Sequence, residues 1–380
     1  MNTILFPILS LGAVLPLSPA FEKRSVELST GISMKYVDAG NPVGEPVILL
    51  HGITDTSRSF YPTMEHLAAL RPDLRLIALD QRGHGGTSLP NRQSCRNAPE
   101  ECFRPSDFAA DVLAFMDALG IERAHLVGHS MGTAVAQLVA LERPERVFRL
   151  VLIAGFASMI DGPVLRDFLL ADRAEGAWKE AFARKRLRFP EDVYELAPVD
   201  ADPEAEKWML ENWVYDPTAD PEYLAAIARE TARVPLGTWL GAARALLSFD
   251  NRERLSELTV PTLVLWPIQD NVVPRSPYQT DILASLDRAT ASCRTSYVFK
   301  QYGARPLPSS GLQEDDFGHN LQWGPSREVA LDLASWLRDG GQPTKDHYFA
   351  DPGNVRRVVT KKGEAILIEG RAKSCSATQK

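Results

Sequence analysis

The sequence lacks both a long membrane-spanning segment and an excess of positive charge. Its N-terminal apolar run, residues 4–17, is 14 residues long, whereas a transmembrane helix needs roughly 20. The 42 Lys and Arg residues are outnumbered by 49 Asp and Glu residues, which gives a net charge of −7. A nucleic-acid-binding protein needs a basic face to displace counterions. We therefore expect neither a membrane span nor a nucleic-acid partner.

Cysteine is also scarce, since the chain contains only Cys95, Cys102, Cys293 and Cys375. None of them stands in a CxxC or Cys/His spacing typical of metal sites, so we expect no bound metal. Cys95 and Cys102 flank a short polar loop that a disulfide could close, and Cys293 and Cys375 could form a second pair. Buried free thiols are the alternative, and the sequence leaves it open.

The run at residues 4–17 is followed by Ser18, Pro19 and Ala20. This arrangement is similar to the apolar region and small-residue cleavage site of a secretory signal, although no Lys or Arg precedes it. We expect a secreted or periplasmic protein. The alternative is a cytoplasmic protein whose N-terminal arm packs on the domain surface.

Short, continuously apolar runs alternate with helical patterns along most of the chain. Such runs are typical of strands buried on both faces of a parallel sheet that is covered by helices. An antiparallel hairpin is predicted before them at 25–38, where apolar and polar residues alternate around a Thr-Gly turn. The predicted buried strands occupy residues 47–50, 74–79, 124–127, 150–154 and 262–266. We therefore predict an α/β fold.

The alternation stops after Gly155, and about a hundred residues with helical periodicity follow. An insertion of this kind between two strands predicts a helical lid over the carboxyl ends of the strands, where ligands bind in open α/β sheets. The predicted organisation is a signal peptide or arm at 1–22, an α/β core at 23–155 and 256–340, a helical lid at 156–255, and a C-terminal extension at 341–380 with a terminal hairpin at 355–367.

The motif that carries chemistry is the G-x-S-x-G sequence at 128–132, which follows a predicted strand and opens a predicted helix. The turn between them holds Ser130 with its hydroxyl exposed, and the flanking glycines remove Cβ atoms that would clash. Ser130 is therefore the predicted nucleophile, and an ordinary helix-capping serine is the alternative. Its neighbour His129 is expected to point away from Ser130 within the tight turn.

A serine nucleophile needs a base, and that base needs an orienting carboxylate. We predict His319 as the base, because it lies in a Gly-His-Asn loop just before the last core helix. Asp270 follows the strand at 262–266 and therefore lies on the same sheet edge as Ser130, so we predict it as the carboxylate. Asp315 and Asp316 are rivals, but they stand too close to His319 in sequence to reach its ring from behind.

The negative charge of a tetrahedral intermediate requires an oxyanion hole. Met131 follows the nucleophile and offers one backbone N–H. The other is assigned to Ile53, in the loop after the strand at 47–50, where Gly52 lets the backbone come close. His51 is expected to brace this loop.

These motifs resemble the α/β-hydrolase superfamily over about residues 25–340. The matching stretches are HGITD at 51–55, DQRGHGGTS at 80–88, GHSMG at 128–132, the loop around Asp270, and GHN at 318–320. The resemblance implies a mostly parallel eight-stranded sheet with helices on both faces, and a Ser-Asp-His mechanism without a cofactor. It also implies structural roles for Arg82 and His84. Superfamily members that act on epoxides or haloalkanes carry Asp at the position of Ser130.

Three features depart from the family pattern. The loop at 93–102 is longer than usual, and Pro267 stands where relatives often have Gly. The stretch at 303–317 is inserted between the last strand and His319, where it is expected to lie beside the site and to influence substrate choice.

The leading hypothesis is a hydrolase that cleaves a carboxylic ester or lactone of a neutral or hydrophobic small molecule. A carbon–carbon bond hydrolase acting on a β-diketone or ring-cleavage product is the alternative, because residues 319–323 are similar to the histidine loop of meta-cleavage hydrolases. A non-catalytic binding protein of the same fold is a third possibility.

Most of the net negative charge falls in the predicted lid. Residues 161–255 contain 19 acidic and 13 basic residues, and four of the seven tryptophans. We expect the excess acid to form a solvated outer face. Trp178, Trp208, Trp213 and Trp239 are expected either to line an apolar substrate pocket or to pack as core.

Overall fold

A ten-stranded β-sheet forms the centre of the protein. The computed structural model describes residues 21–91, 95, 97–214, 216, 218–302 and 318–338, and the backbone of two strands at 355–359 and 364–370. The strands are β1 (Lys23–Glu27), β2 (Ser33–Gly40), β3 (Glu45–Leu50), β4 (Leu74–Leu79), β5 (Ala124–His129), β6 (Val147–Ile153), β7 (Thr262–Pro267), β8 (Tyr297–Tyr302), β9 (Val355–Val359) and β10 (Glu364–Gly370).

The strand order is β1-β2-β4-β3-β5-β6-β7-β8-β10-β9. The six strands from β4 to β8 in this order run parallel. Strands β1 and β2 form the predicted antiparallel hairpin, and β2 pairs antiparallel with β4. These eight strands are the predicted mostly parallel sheet. The predicted C-terminal hairpin extends it, because β10 pairs antiparallel with both β8 and β9.

The apolar runs of the sequence form the buried strands of the sheet. Residues 47–50 of β3 and 262–267 of β7 are buried along their whole length, as expected for parallel strands covered on both faces. The carboxyl ends of the parallel strands meet at one edge of the sheet, so the loops that follow β3, β5 and β7 come together there.

Helices cover the sheet and fill the insertion between β6 and β7. They are α1 (Tyr61–Leu70), α2 (Pro105–Ala118), α3 (Met131–Glu142), α4 (Lys179–Arg184), α5 (Pro198–Ala201), α6 (Ala205–Asn212), α7 (Pro221–Thr231), α8 (Leu236–Leu246), α9 (Thr280–Ala291) and α10 (Ser326–Trp336). A 3₁₀ turn at Ser57–Phe60 precedes α1, and π-helical segments occupy Val164–Ala177 and Arg275–Gln279.

The two ends of the helical insertion lie side by side. Ser158 and Asp250 form an isolated antiparallel bridge, and Asn251 donates a backbone hydrogen bond to Ala157. The chain therefore leaves and re-enters the α/β core at one place. The insertion has an aromatic core of its own, because the ring of Trp178 packs edge-on against Trp208 and Trp239 at 5.5 and 5.2 Å between centroids.

Cys95 and Cys102 form a disulfide, as predicted, and are not the free thiols of the alternative. Cys293 is also disulfide-bonded, and its predicted partner, Cys375, lies outside the described residues. Among the helices of the described ranges, none has the length and apolar character required to span a bilayer.

Candidate active site

The predicted nucleophile lies in a strained turn between β5 and α3. Ser130 has φ 49° and ψ −118°, a left-handed conformation that is uncommon for a residue with a side chain. Its N–H donates to the carbonyl of Ile153 at 3.0 Å, and its carbonyl accepts from the N–H of Thr133 at 2.9 Å. The hydrogen bonds on both sides hold the strained backbone in place, which is how functional sites retain such conformations.

Close backbone contacts explain the two glycines of the motif. A Cβ atom on Gly128 would lie 2.4 Å from the carbonyl oxygen of Gly132, and one on Gly132 would lie 2.1 Å from the carbonyl oxygen of Leu50. No side chain fits at those distances. The motif is therefore required by the packing of the turn against β3 and α3.

His319 and Asp270 meet although 49 residues separate them. The Nδ1 of His319 lies 2.9 and 3.0 Å from the two carboxylate oxygens of Asp270. Asp270 is fully buried at its side chain, and one of its oxygens also accepts the backbone N–H groups of Val272 and Val273 at 2.9 and 2.8 Å. Because a carboxylate only accepts, Nδ1 of His319 carries the proton and Nε2 is left as the basic nitrogen.

The loop after β3 approaches the nucleophile. A Cβ atom on Gly52 would lie 3.2 Å from the Cβ of Ser130, so the next residue, Ile53, is placed beside the serine. Met131 is the first residue of α3, and its N–H has no acceptor within the helix. Of the two residues predicted to form an oxyanion hole, Ile53 lines the same cavity as Ser130, and Met131 follows Ser130 in the chain.

Contacts from the insertion hold this loop. Thr54 has φ 63°, a genuine outlier for a β-branched residue. Its N–H donates to Nε2 of His84 at 3.1 Å, and its hydroxyl donates to the carbonyl of Ile53 and accepts from Nε1 of Trp213 at 2.9 Å. The indole of Trp213 therefore reaches from the insertion to the residue next to the predicted oxyanion donor.

An ion pair ties α7 to the 3₁₀ turn of the same loop. Glu230 accepts from the guanidinium of Arg58 at 2.6 Å and from the hydroxyl of Thr56. The hydroxyl of Tyr223 donates to the carbonyl of Arg58 at 2.9 Å. The insertion is thus anchored to residues 54–58 from two directions.

Ser130 and His319 line one cavity of about 520 Å³. Within the residues that the structure describes, no hydrogen bond joins the Ser130 hydroxyl to the His319 ring. Catalytic contacts of this kind often close only when substrate binds. The walls are mainly apolar and come both from the core and from the insertion, with Phe156, Leu165, Phe168, Trp213, Ile227 and Val272 among them. Of the four tryptophans of the insertion, Trp213 lines this cavity, and the other three pack as core.

The residues expected to be structural are placed as braces. His51 accepts the N–H of Gln81 through Nε2 at 3.0 Å. Arg82 forms a buried ion pair with Asp111 at 2.7 Å. Burial lowers the pKa of His84 to about 4, so that this ring is neutral and accepts from Thr54. These groups hold the loops that follow β3 and β4, and they do not line the cavity.

Two titratable residues that line the cavity were not predicted as site residues. The ring of His129 contacts that of His319, with 4.9 Å between centroids. Asp55 is a buried carboxyl among the cavity walls. Its place directly after the predicted oxyanion loop was the available signal. The rival carboxylates Asp315 and Asp316, and the inserted stretch at 303–317, lie outside the described residues.

Comparison with known proteins gives a consistent assignment of the fold. The family model described as alpha/beta hydrolase fold matches residues 45–324. A protein of Azorhizobium caulinodans named as carbamate hydrolase RutD is 29% identical over 250 residues, which cover 63% of this chain and 78% of that protein. An epoxide hydrolase of Caballeronia sordidicola is 25% identical over 338 residues, 82% of this chain and 92% of its own.

Solved structures agree with the family model. The enol-lactonase from Burkholderia xenovorans LB400 superposes with a TM-score of 0.57 at 20% sequence identity, over 83% of this chain and 99% of that one. At this level of identity the likeness shows the fold alone.

Proposed function

The chain belongs to the alpha/beta hydrolase fold family, and from that premise we propose that it is a serine hydrolase acting on a carboxylic ester or lactone of a neutral or hydrophobic small molecule. The observation that carries the proposal is the placement of the His319 ring on Asp270, beside a cavity that the strained turn of Ser130 also lines.

In the proposed reaction, Nε2 of His319 takes the proton of the Ser130 hydroxyl while the serine oxygen attacks the substrate carbonyl. Asp270 fixes the Nδ1–H tautomer and stabilises the imidazolium that forms. The backbone N–H groups of Ile53 and Met131 receive the negative charge on the carbonyl oxygen. The intermediate then expels the alcohol, which takes its proton from His319, and an acyl group remains on Ser130.

Hydrolysis of the acyl-enzyme uses the same groups. A water molecule gives a proton to Nε2 of His319 and attacks the acyl carbon, and the acid leaves as the proton returns to Ser130. Every step in this scheme uses groups of the chain itself and water, so the proposal requires no metal or cofactor.

The apolar walls of the cavity support a neutral or hydrophobic substrate. Residues 156–255 supply part of these walls, and we propose that this segment acts as the lid of the site. The epoxide hydrolase of Caballeronia sordidicola is similar over most of the chain. A serine at position 130 nevertheless favours acyl transfer, because superfamily members that open epoxides carry Asp there.

Two of the residues that resemble the histidine loop of meta-cleavage hydrolases, Gln322 and Trp323, make structural contacts here. Nε1 of Trp323 and Nε2 of Gln322 both donate to the hydroxyl of Ser59, at 2.9 and 3.0 Å. These bonds tie the His319 loop to the 3₁₀ turn, which accounts for the motif without carbon–carbon cleavage. The ester or lactone assignment is therefore preferred.

The disulfide between Cys95 and Cys102 supports the proposal that the protein works in an oxidising compartment, outside the cytoplasm. Fractionation of cells that express the full chain tests this, with the intact mass of the recovered protein reporting whether the disulfide is present. Recovery of only reduced, cytoplasmic protein would contradict the proposal.

The test of function combines inhibition with substitution. An alkyl phosphonate should add one covalent adduct to the wild-type protein, at Ser130, and Ser130→Ala should lose both the adduct and ester turnover. Ser292→Ala, at an exposed position, is the control and should keep both. A panel of aryl esters, lactones and a β-diketone should show the highest kcat/KM on an ester or lactone. A preference for the β-diketone, or ester turnover that survives Ser130→Ala, would overturn the proposal.

A further inference from the structure

An acidic residue without a cationic partner lines the cavity. The side chain of Asp55 is buried, and it is the one acidic side chain among the described residues that line the cavity. Asp55 follows the predicted oxyanion residue Ile53 by two positions, and its backbone N–H donates to the carbonyl of Gly52 at 3.4 Å. Gly52 in turn packs against Ser130. Asp55 is therefore connected to the nucleophile through Gly52 and lies on the wall of the same cavity.

The partners of this carboxyl are neutral. One oxygen accepts the backbone N–H of Thr56 at 2.8 Å, and the hydroxyl of Ser59 is a second hydrogen-bond partner. Within the described part of the chain, no Lys, Arg or His forms an ion pair with Asp55. Burial of an acidic group without a cationic partner costs folding free energy, and the fold itself does not need an acid here.

The charged groups around Asp55 are already paired elsewhere. Glu230, from α7, is bound by Arg58 at 2.6 Å, and Asp80, after β4, is bound by Lys23 at 2.7 Å. Burial is the main cause that raises the pKa of Asp55, both acids raise it further, and the pKa reaches about 7. The surroundings thus disfavour an isolated negative charge and favour any donor or cation that enters the cavity.

A purely structural role does not explain an acid at this position. The 3₁₀ turn at Ser57–Phe60 is capped by the hydroxyl of Thr56, which accepts from the N–H of Arg58. The bond from Thr56 N–H to Asp55 needs only an acceptor, and the amide oxygen of Asn would serve without a buried charge. A role in ligand binding therefore explains the carboxyl better than a role in folding.

We propose that Asp55 recognises a hydrogen-bond-donating group, a hydroxyl or a protonated amine, on the substrate of this enzyme. The inference rests on the proposed function, since the cavity it concerns is the one beside Ser130. The donor would supply the partner that the carboxyl lacks, while the apolar walls hold the rest of the molecule. A substrate with a carboxylate at the same position would be excluded by repulsion.

The test is a matched series of aryl esters whose acyl chains have equal length and end in methyl, hydroxyl, ammonium or carboxylate. A second series carries the same groups on the alcohol side. In the wild type, one series should show kcat/KM at least about tenfold higher for the hydroxyl or ammonium ester than for the methyl ester, a difference of about 1.4 kcal/mol. The carboxylate ester should be the poorest.

Two variants separate recognition from folding. Asp55→Asn keeps an acceptor, so it should lose the ammonium preference and keep part of the hydroxyl preference, whereas Asp55→Leu should lose both. The ratio to the methyl ester is the readout, because a general loss of structure lowers all four esters alike. Glu222→Gln removes one carboxylate from an exposed position of the same helix, α7, outside the cavity wall, and should keep the preference.

The outcomes distinguish this inference from the proposed function. Ester turnover that persists in Ser130→Ala overturns the function. If Ser130→Ala is inactive, but the wild type shows no donor preference or Asp55→Leu retains it, the inference about Asp55 is wrong and the function stands. Equal loss of the preference in Glu222→Gln would also overturn direct recognition by Asp55.

Discussion

Nε2 of His129 lies 3.1 Å from the backbone carbonyl of His319. A carbonyl only accepts, so Nε2 carries the proton and donates it. Burial, and then the neighbouring His319, keep the pKa of His129 well below its ordinary value, so the ring stays neutral. The residue before the proposed nucleophile therefore holds the main chain of the proposed base.

This bond predicts a positioning role for His129. His129→Leu removes the donor, so the His319 loop should shift and kcat should fall about 10- to 100-fold with little change in KM. The amide N–H of His129→Gln reaches a similar place, so this variant should recover much of kcat. Steady-state kinetics on one ester checks both, and wild-type kcat in the Leu variant would contradict the role.

Asp270 offers a second prediction. Asp270→Asn keeps the shape of the side chain but no longer fixes the Nδ1–H tautomer of His319, and we expect kcat to fall by about 10³ to 10⁴. Circular dichroism should show an unchanged fold. Asp315→Asn and Asp316→Asn are the matched controls and should retain kcat. A large loss in either control with little loss in Asp270→Asn would mean that a different carboxylate orients the base.

The indole of Trp213 predicts an effect of the insertion on the oxyanion loop. Trp213→Phe removes the N–H that binds the Thr54 hydroxyl, so we expect kcat/KM to fall about tenfold, since the loop next to Ile53 loses a support. Trp208→Phe is a close control, because Trp208 also stacks on Phe168 but its Nε1 has no hydrogen-bond partner within the described residues.

Wild-type kinetics in Trp213→Phe would remove the link between insertion and loop. A drop of similar size in both tryptophan variants would assign the effect to packing of the aromatic cluster and not to the hydrogen bond. Thermal melting of each variant separates these outcomes from loss of the folded state.

The main features of the site follow from local sequence patterns. The G-x-S-x-G motif between a strand and a helix predicts the turn at Ser130, and placing Asp270 and His319 after strands predicts that they share one sheet edge. The structure does bring Asp270 and His319 into contact. The apolar runs also predict the parallel strands, because a strand buried on both faces must be apolar throughout.

Other features depend on contacts that local patterns do not contain. The pairing of β10 with β8 joins a terminal hairpin to the sheet through backbone hydrogen bonds, which any sequence of suitable propensity provides. The bonds from His129 to His319 and from Trp213 to Thr54 join residues more than 150 positions apart. Only the fold itself brings such pairs together.

The buried carboxyl of Asp55 makes stability depend on pH. Its pKa rises from 3.8 to about 7 in the folded protein. Below about pH 4 the group is protonated in both states and has no effect. As the pH rises toward about 7, the unfolded chain ionises first, so the wild type loses stability, and the loss is complete above about pH 7.

Asn at position 55 does not titrate. The unfolding free energy of Asp55→Asn minus that of the wild type should therefore increase by up to about 3 kcal/mol between about pH 5 and about pH 8. Urea unfolding at the two pH values measures this. Asp73 is the control, because the bond from Arg71 lowers its pKa to about 2 and it stays ionised in both states over this range. The difference in unfolding free energy between Asp73→Asn and the wild type should therefore be the same at both pH values. If the difference in unfolding free energy between Asp55→Asn and the wild type did not depend on pH, the Asp55 carboxyl would be solvated or paired. That result would remove the reason to assign it a ligand.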